Sequence, residues 1–182
     1  MKMKKTLVVV DMQDDFLVHF QDDGANLVDR CKRLIKLASK RGWSIVFLEF
    51  NDCGETVHEL TSAALNENHC NVFFATKDMR DGSKQVETLV WKNELPTDFV
   101  VCGIFTEQCV ISTVKGLHVR MPESKIALAW EACGAGSAVG HYRKMQKNVP
   151  AEFHKQLKHE LELPFYKRPS TIVKIVERCE EL

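Results

Sequence analysis

Short runs of continuous apolar residues recur along this chain, and segments with helical periodicity separate them. The first run, Thr6–Val10, is rich in β-branched residues and carries no charge, which is typical of a strand covered on both faces. We predict further strands at 43–50, 72–75, 99–102 and 126–130. Strands that alternate with helices indicate βαβ units. We therefore predict one α/β domain over residues 1–182, with three layers and a mostly parallel central sheet flanked by helices.

The clearest helical pattern lies at 25–40. Apolar residues recur there at helical spacing, with Lys and Arg between them: Leu27, Val28, Cys31, Leu34, Ile35 and Ala38. We predict further helices at 85–91, 109–117, 137–147, 151–161 and 170–180, the last with Ser170 as its N-cap. The stretch 51–71 is predicted to cross the surface as a loop with a short helix. The role of the segment after Gly140 stays open between an extension of the domain and a subunit contact.

Charge and cysteine content narrow the class of function. The chain has 25 Lys and Arg against 25 Asp and Glu, which argues against nucleic acid as a partner, since its binders usually carry a basic excess. We expect no membrane span, because no run of about 18 apolar residues occurs, and no signal peptide, because the first apolar stretch is too short. The seven cysteines form no Cys-x-x-Cys pair. We expect reduced thiols and a cytoplasmic location.

Three chemically distinct side chains follow three of the predicted strands. Asp11 comes directly after the first strand, Lys77 follows the third, and Cys109 lies in the turn after the fourth. Because ligands bind outside the carboxyl ends of parallel strands, we expect the three to converge. Cys109 beside helix-end N–H groups would favour a thiolate. Taken singly, Asp11 is also interpretable as a turn cap, Lys77 as a surface charge and Cys109 as a buried helix residue.

The order of these residues and their flanking motifs resemble the isochorismatase-like family of cysteine hydrolases, which includes nicotinamidases and N-carbamoylsarcosine amidase. Residues 11–16 match the family's D-x-Q-x-x-F after an apolar strand. The most specific match is 103–113, which follows G-[apolar]-x-T-x-x-C-V-x-x-T. Lys77 with Asp81-Gly82 matches by position. The segment 131–133 resembles the family's D-A-C, with Glu131 in place of Asp.

This resemblance implies a Rossmann-like domain that carries an Asp-Lys-Cys triad. Asp11 would take the thiol proton and pass it to the leaving group, and Lys77 would keep Asp11 ionised and favour the thiolate. Cys109 would attack an amide-type carbonyl, and water would hydrolyse the resulting thioester. Backbone N–H groups of Phe105 and Cys109 would hold the oxyanion, beside a cis peptide bond between Ile104 and Phe105.

Further residues are expected around this centre. By the resemblance, Gln13 and Thr106 are supporting hydrogen-bonders that take no part in the chemistry. Candidates for lining the substrate pocket flank the proposed site: Phe16, His19, Phe20 and Phe105.

The sequence departs from the family pattern where a substrate would lie. Nicotinamidases carry a metal-binding D-x-H motif after the second strand, and 49–58 contains none. We therefore predict no metal and disfavour nicotinamidase activity, with Asp52, His58 and His69 as the residues that could still contribute to a metal site. The branch that hydrolyses isochorismate lacks the nucleophilic cysteine, so Cys109 argues against that chemistry. Ser83 stands where the family often has an aromatic residue, which changes the pocket wall.

Three functions follow as hypotheses. The leading one is a cofactor-free cysteine hydrolase that acts on a small amide or carbamoyl compound, with Cys109 quickly alkylated near neutral pH. By resemblance we expect a homo-oligomer, a dimer or larger. The alternative is a catalytically silent family member that binds a metabolite or protein partner through the same pocket. A third is a thiol redox protein, which would need Cys102 or Cys133 as a resolving cysteine near Cys109.

Overall fold

A computed structural model of the chain describes residues 4–18, 21–66, 70–134, 173–176 and 178–182. Within these ranges the core is a six-stranded sheet in the order β3-β2-β1-β4-β5-β6. Every pairing in it is parallel, which confirms the predicted α/β fold. The strands are β1 (Thr6–Val10), β2 (Ser44–Phe50), β3 (Val72–Lys77), β4 (Phe99–Ile104), β5 (Ile126–Gly134) and β6 (Val173–Val176).

Helices connect the strands. They are α1 (Asp14–Leu17), α2 (Gln21–Lys40), α3 (His58–Leu65), α4 (Ser83–Asn93) and α5 (Ile111–Arg120). A five-residue π-helical turn, Thr106–Val110, joins β4 to α5. The predicted helices at 25–40 and 85–91 are confirmed with wider bounds, and α3 is the short helix expected in the surface stretch. Of the helices that the structure describes, none is both long and apolar enough to span a membrane.

The central position of β1 explains its composition. All five of its residues are buried between β2 and β4. Val10 pairs with Leu48 on one side and with Gly103 on the other. The ends of these three strands therefore lie level, so the segments that follow them begin at one edge of the sheet.

Gly103 allows β4 to run close to β1 at that edge. Its φ angle of 118° is one that L side chains rarely adopt, and an added Cβ would collide with the backbone of Val10. The pairing of β4 with β5 shifts register between Val101 and Gly103. Strand β4 thus continues past the predicted boundary at Cys102 to Ile104, and the turn with Cys109 starts from there.

The predicted helix at 170–180 is wrong. Val173–Val176 forms β6, and Cys179–Glu181 is a single 3-10 turn. Three of the four β6 residues are β-branched, and pairing with β5 provides their backbone hydrogen bonds, so tertiary context favours a strand. The predicted helices at 137–147 and 151–161 lie outside the described residues.

Candidate active site

Asp11 is the first residue after β1 and is 1% exposed. Its N–H donates to the Leu48 carbonyl over 2.9 Å. Its φ of 52° lies in the left-handed region, which Asp tolerates better than most residues. One carboxylate oxygen, Oδ2, accepts a hydrogen bond from Lys77, and Oδ1 accepts none of ordinary geometry from any described residue. One oxygen of this buried carboxylate is thus left for a further proton donor.

Lys77 is the last residue of β3, and it is as buried as Asp11. Its Nζ lies 2.8 Å from Asp11 Oδ2 and 3.2 Å from the Met79 carbonyl oxygen. The same ammonium group sits 4.5 Å from the centre of the Phe50 ring. A buried lysine requires partners of this kind, since an unpaired charge would cost several kcal/mol. Read alone in the sequence, Lys77 is most simply a surface charge, and the structure rules this out.

Cys109 lies in the π-helical turn and is 6% exposed. Its thiol interacts with both members of the ion pair, the Asp11 carboxylate and the Lys77 amine. The structure therefore brings together the three side chains that the sequence placed after separate strands. They form a buried group of a carboxylate, an amine and a thiol, which we call the Asp-Lys-Cys cluster.

The pKa of Cys109 differs in direction from the lowered value that the sequence led us to expect. Burial raises the pKa of Cys109 to about 12, helped by the negative charge of Asp11 and by its hydrogen bond, while Lys77 acts in the opposite direction. This raised pKa opposes the thiolate expected at rest, and fast alkylation of Cys109 near neutral pH stays a prediction. Burial likewise raises the pKa of Asp11, opposed by Lys77 and Cys109. The cluster rests as a protonated thiol beside a carboxylate that binds protons more tightly than an exposed one.

Three partly buried aromatic rings lie beside the cluster. Phe16 packs edge-to-face on Phe105, with centroids 5.7 Å apart, and on Phe50 at 6.1 Å. The peptide bond between Ile104 and Phe105 is cis. Sequence reasoning missed Phe50, although its position at the end of β2 places it at the same sheet edge.

Gln13 is fully buried and joins the segments after β1 and β2. Its Nε2 donates to the carbonyl oxygens of Phe50 at 2.9 Å and Gly54 at 2.6 Å, and its Oε1 accepts from the Phe50 N–H at 2.7 Å. Gln13 therefore holds the loop beside Phe50 in place. Thr106 is also buried, but its hydroxyl has no hydrogen-bond partner among the described residues.

The residues considered for a metal site do not form one in the part of the chain that the structure describes. Asp52 is exposed, and so is His58 at the start of α3, whose Nε2 lies 3.0 Å from Ser62 Oγ. Within the described ranges no group of three His, Cys, Asp or Glu side chains could hold a metal ion. His69 lies outside those ranges, as do the pocket candidates His19 and Phe20.

A second thiol, which the sequence did not single out, stands close to the cluster. Cys53 follows β2, and its pKa is raised first by burial and then by the carboxylates of Asp15 and Asp11. The proposed resolving cysteines lie elsewhere: Cys102 is hydrogen-bonded to Cys31, and the Cys133 thiol donates to the Ala129 carbonyl oxygen. The charge of Asp11 acts on Cys53 and is not among the causes that raise the pKa of Cys102.

Comparison with known proteins adds independent information. The family model for the isochorismatase domain matches residues 5–157, whereas no curated protein matches the chain.

Solved structures with a similar fold include MAR1 ribonuclease from Caenorhabditis elegans, at 16% identity and a TM-score of 0.66, covering 97% of this chain and 78% of that one. N-carbamoylsarcosine amidase from Thermoplasma acidophilum is 17% identical, with a TM-score of 0.65 and 99% of both chains covered. The nicotinamidase from Staphylococcus aureus is 20% identical, with a TM-score of 0.64, covering 86% of this chain and 95% of that one.

Proposed function

This chain belongs to the isochorismatase family, and from that premise we propose that it is a cysteine hydrolase that cleaves a small amide or carbamoyl C–N bond. The observation that carries the proposal is the buried ion pair of Lys77 and Asp11, 2.8 Å long, against the thiol of Cys109. A nucleophile, its base and a group that orients the base form the minimal set for covalent catalysis. The similar folds of a nicotinamidase and an N-carbamoylsarcosine amidase support an amide substrate.

In the first step, proton transfer accompanies nucleophilic attack. Because the pKa of Cys109 is near 12, the thiol does not ionise ahead of the reaction at neutral pH. Asp11 Oδ1, which has no other partner among the described residues, takes the thiol proton while Sγ bonds to the carbonyl carbon. Lys77 stays bound to Oδ2 and holds the carboxyl group in position.

The next steps return every group to its starting state. The oxyanion of the tetrahedral intermediate binds the N–H groups of Phe105 and Cys109, in the turn with the cis peptide bond. The C–N bond breaks as Asp11 passes its proton to the leaving nitrogen, which departs as ammonia or an amine. Water then attacks the thioester, Asp11 takes a proton from the water, and the carboxylic acid leaves as Cys109 regains its proton.

The aromatic rings suggest the shape of the substrate. Phe16, Phe50 and Phe105 form an apolar wall at the edge where the thiol lies. Lys77 is engaged by Asp11 and by the Phe50 ring, so it offers little charge to a substrate carboxylate. We therefore propose an uncharged substrate with a planar or apolar part next to the scissile carbonyl.

The alternative function, a catalytically silent member that binds a metabolite or a protein partner, has less support. A binding pocket needs no buried carboxylate between an amine and a thiol. Such a group would lower the stability of the fold, because burying a charge pair has a desolvation cost.

A screen for ammonia release over small amides and carbamoyl compounds tests the proposal. We expect at least one compound to be hydrolysed by the wild type and by Cys70→Ala, whose thiol contacts Ser39 and the Ala64 carbonyl oxygen far from the cluster. Cys109→Ala should release no ammonia from that compound. Equal release by Cys109→Ala, or none by the wild type from any compound, would contradict the proposal.

A further inference from the structure

One face of α5 is built to hold the loop that follows Lys77. Thr113, Gly116 and Arg120 are spaced i, i+3 and i+7, so they form a stripe along the helix. Each of them contacts residues 81–83, where the loop after β3 enters α4. The helix that carries this stripe begins directly after the turn with Cys109.

The contacts along the stripe are close and specific. The Gly82 N–H donates to Thr113 Oγ1 over 3.1 Å in a fully buried hydrogen bond. An added Cβ at Gly116 would collide with Ser83 Oγ and the Asp81 carboxylate, so helix and loop approach each other closely there. Arg120 Nε donates to Ser83 Oγ over 3.0 Å.

Gly82 in turn packs directly on the side chain of Lys77. A Cβ at Gly82 would lie 2.9 Å from Lys77 Cδ and 2.6 Å from Leu48 Cδ1. The aliphatic part of Lys77 therefore packs against Gly82. Ser83, which stands where the family often has an aromatic residue, is fully buried and accepts the hydrogen bond from Arg120 of α5.

We infer that Thr113 is a positioning residue, whose hydroxyl holds Gly82 and thereby places the Lys77 amine against Asp11 and Cys109. Its catalytic meaning rests on the proposed function. Helix α5 follows Cys109, and its Thr113 accepts the hydrogen bond from Gly82. Gly82 in turn packs on the side chain of Lys77.

Loss of the Thr113 hydroxyl would act on the cluster through Lys77. Thr113→Val keeps the side-chain shape but leaves the buried Gly82 N–H without an acceptor, so the loop must shift to find one. A displaced amine stabilises Asp11 less, which raises the pKa of that carboxyl further. The titratable groups coupled to Asp11 among the described residues are Lys77, Cys109 and Cys53.

Two readouts test the inference, and only one of them needs a substrate. On a substrate from the screen, Thr113→Val should lower kcat/KM by about 10- to 100-fold and move its acid limb to higher pH, while Thr113→Ser restores both. Without a substrate, the alkylation of Cys109 by iodoacetamide is measured in an Asp11→Asn background, where Lys77 alone favours the thiolate. There Thr113→Val should slow alkylation about tenfold at neutral pH. If the proposed function fails, the alkylation rate still tests whether Thr113 positions Lys77, because it needs no substrate.

Control variants separate positioning from general damage. Thr88→Val removes an exposed hydroxyl that donates to the Lys84 carbonyl oxygen on α4, and it should change neither readout. If Thr113→Val does not fold, Arg120→Met, at an exposed site on the same stripe, should shift both readouts in the same direction by a smaller factor. The inference is overturned if a folded Thr113→Val variant has the same pH profile and the same alkylation rate as its parent protein. If Thr113→Val does not fold, the same result for Arg120→Met overturns it. It is also overturned if Thr113→Ser behaves like Thr113→Val.

Discussion

Cys102 and Cys109 lie on the same stretch of chain, one inside β4 and the other in the turn that follows it, and both are buried. Both also have a raised pKa. For Cys102 the causes are a hydrogen bond to Cys31, then burial, and then the neighbouring thiols. For Cys109 they are burial and Asp11, with Lys77 opposing. Because both pKa values are raised, a low pKa does not distinguish the proposed nucleophile Cys109 from Cys102. The difference is that Cys109 has the Asp11 carboxylate beside it, whereas Cys102 has another thiol.

The largest expected effect on hydrolysis comes from removing one of these two thiols and not the other. Cys109→Ala should lower the hydrolysis rate by more than roughly 1,000-fold, because no second nucleophile replaces it. Cys102→Ala should keep the rate within a few-fold, since Cys102 meets no base. Steady-state rates on a substrate from the screen would check this, and a large loss in Cys102→Ala with unchanged folding would break the comparison.

The ion pair beside Cys109 can be compared with a surface pair elsewhere. Lys77→Met leaves Asp11 as an unpaired buried charge, and we expect a loss of about 3–5 kcal/mol in the free energy of unfolding at neutral pH. Glu87→Gln breaks the half-exposed Arg120–Glu87 pair, 3.2 Å long, and should cost less than about 1 kcal/mol. Urea unfolding would measure both, and similar losses would contradict the difference in burial.

The pH dependence of the Lys77→Met loss follows from the direction of the Asp11 pKa shift. Burial raises the pKa of Asp11 in the folded state above its unfolded value, so ionising this carboxyl costs folding free energy. The loss should be smallest at acid pH, where Asp11 is protonated in both states, and should grow as the pH rises through the folded pKa. A loss independent of pH would show that Lys77 contributes by packing instead of charge.

The smallest effect concerns the surroundings of Cys102. Cys102→Ser places a hydroxyl among thiols and apolar side chains, and we expect a loss of about 1–3 kcal/mol in unfolding free energy with an unchanged hydrolysis rate. Cys70→Ser, at a half-buried site beside Ser39, should be close to neutral. An increase in unfolding free energy in Cys102→Ser would contradict the apolar surroundings described for this thiol.

The fold was largely predictable, because fully buried parallel strands appear in a sequence as continuous β-branched runs such as Thr6–Val10. The convergence of Asp11, Lys77 and Cys109 followed from strand order alone, since parallel strands end at one edge. The strand at 173–176 was not predictable locally, because its conformation depends on pairing with β5.

Other parts of the site depend on contacts between distant segments. The pKa of Cys109 follows from its burial and from its distance to Asp11, which no local pattern encodes. Phe50 joins the aromatic wall only once β2 lies beside β1. The Thr113–Gly82 hydrogen bond links helix α5 to the loop before α4, and only the family-like spacing of the motif hinted that Thr113 had a role.

The most direct test is the ionisation of Cys109, measured as the ultraviolet thiolate absorbance of the wild type minus that of Cys109→Ser across the pH range. We expect no thiolate signal from the wild type at neutral pH, because burial and Asp11 hold the pKa of Cys109 near 12. In Asp11→Asn the thiol becomes the counter-ion of Lys77, so the signal should appear at clearly lower pH although hydrolysis is lost. A thiolate signal in the wild type at neutral pH, or a titration unchanged by Asp11→Asn, would contradict the assignment of Asp11 as the base for Cys109.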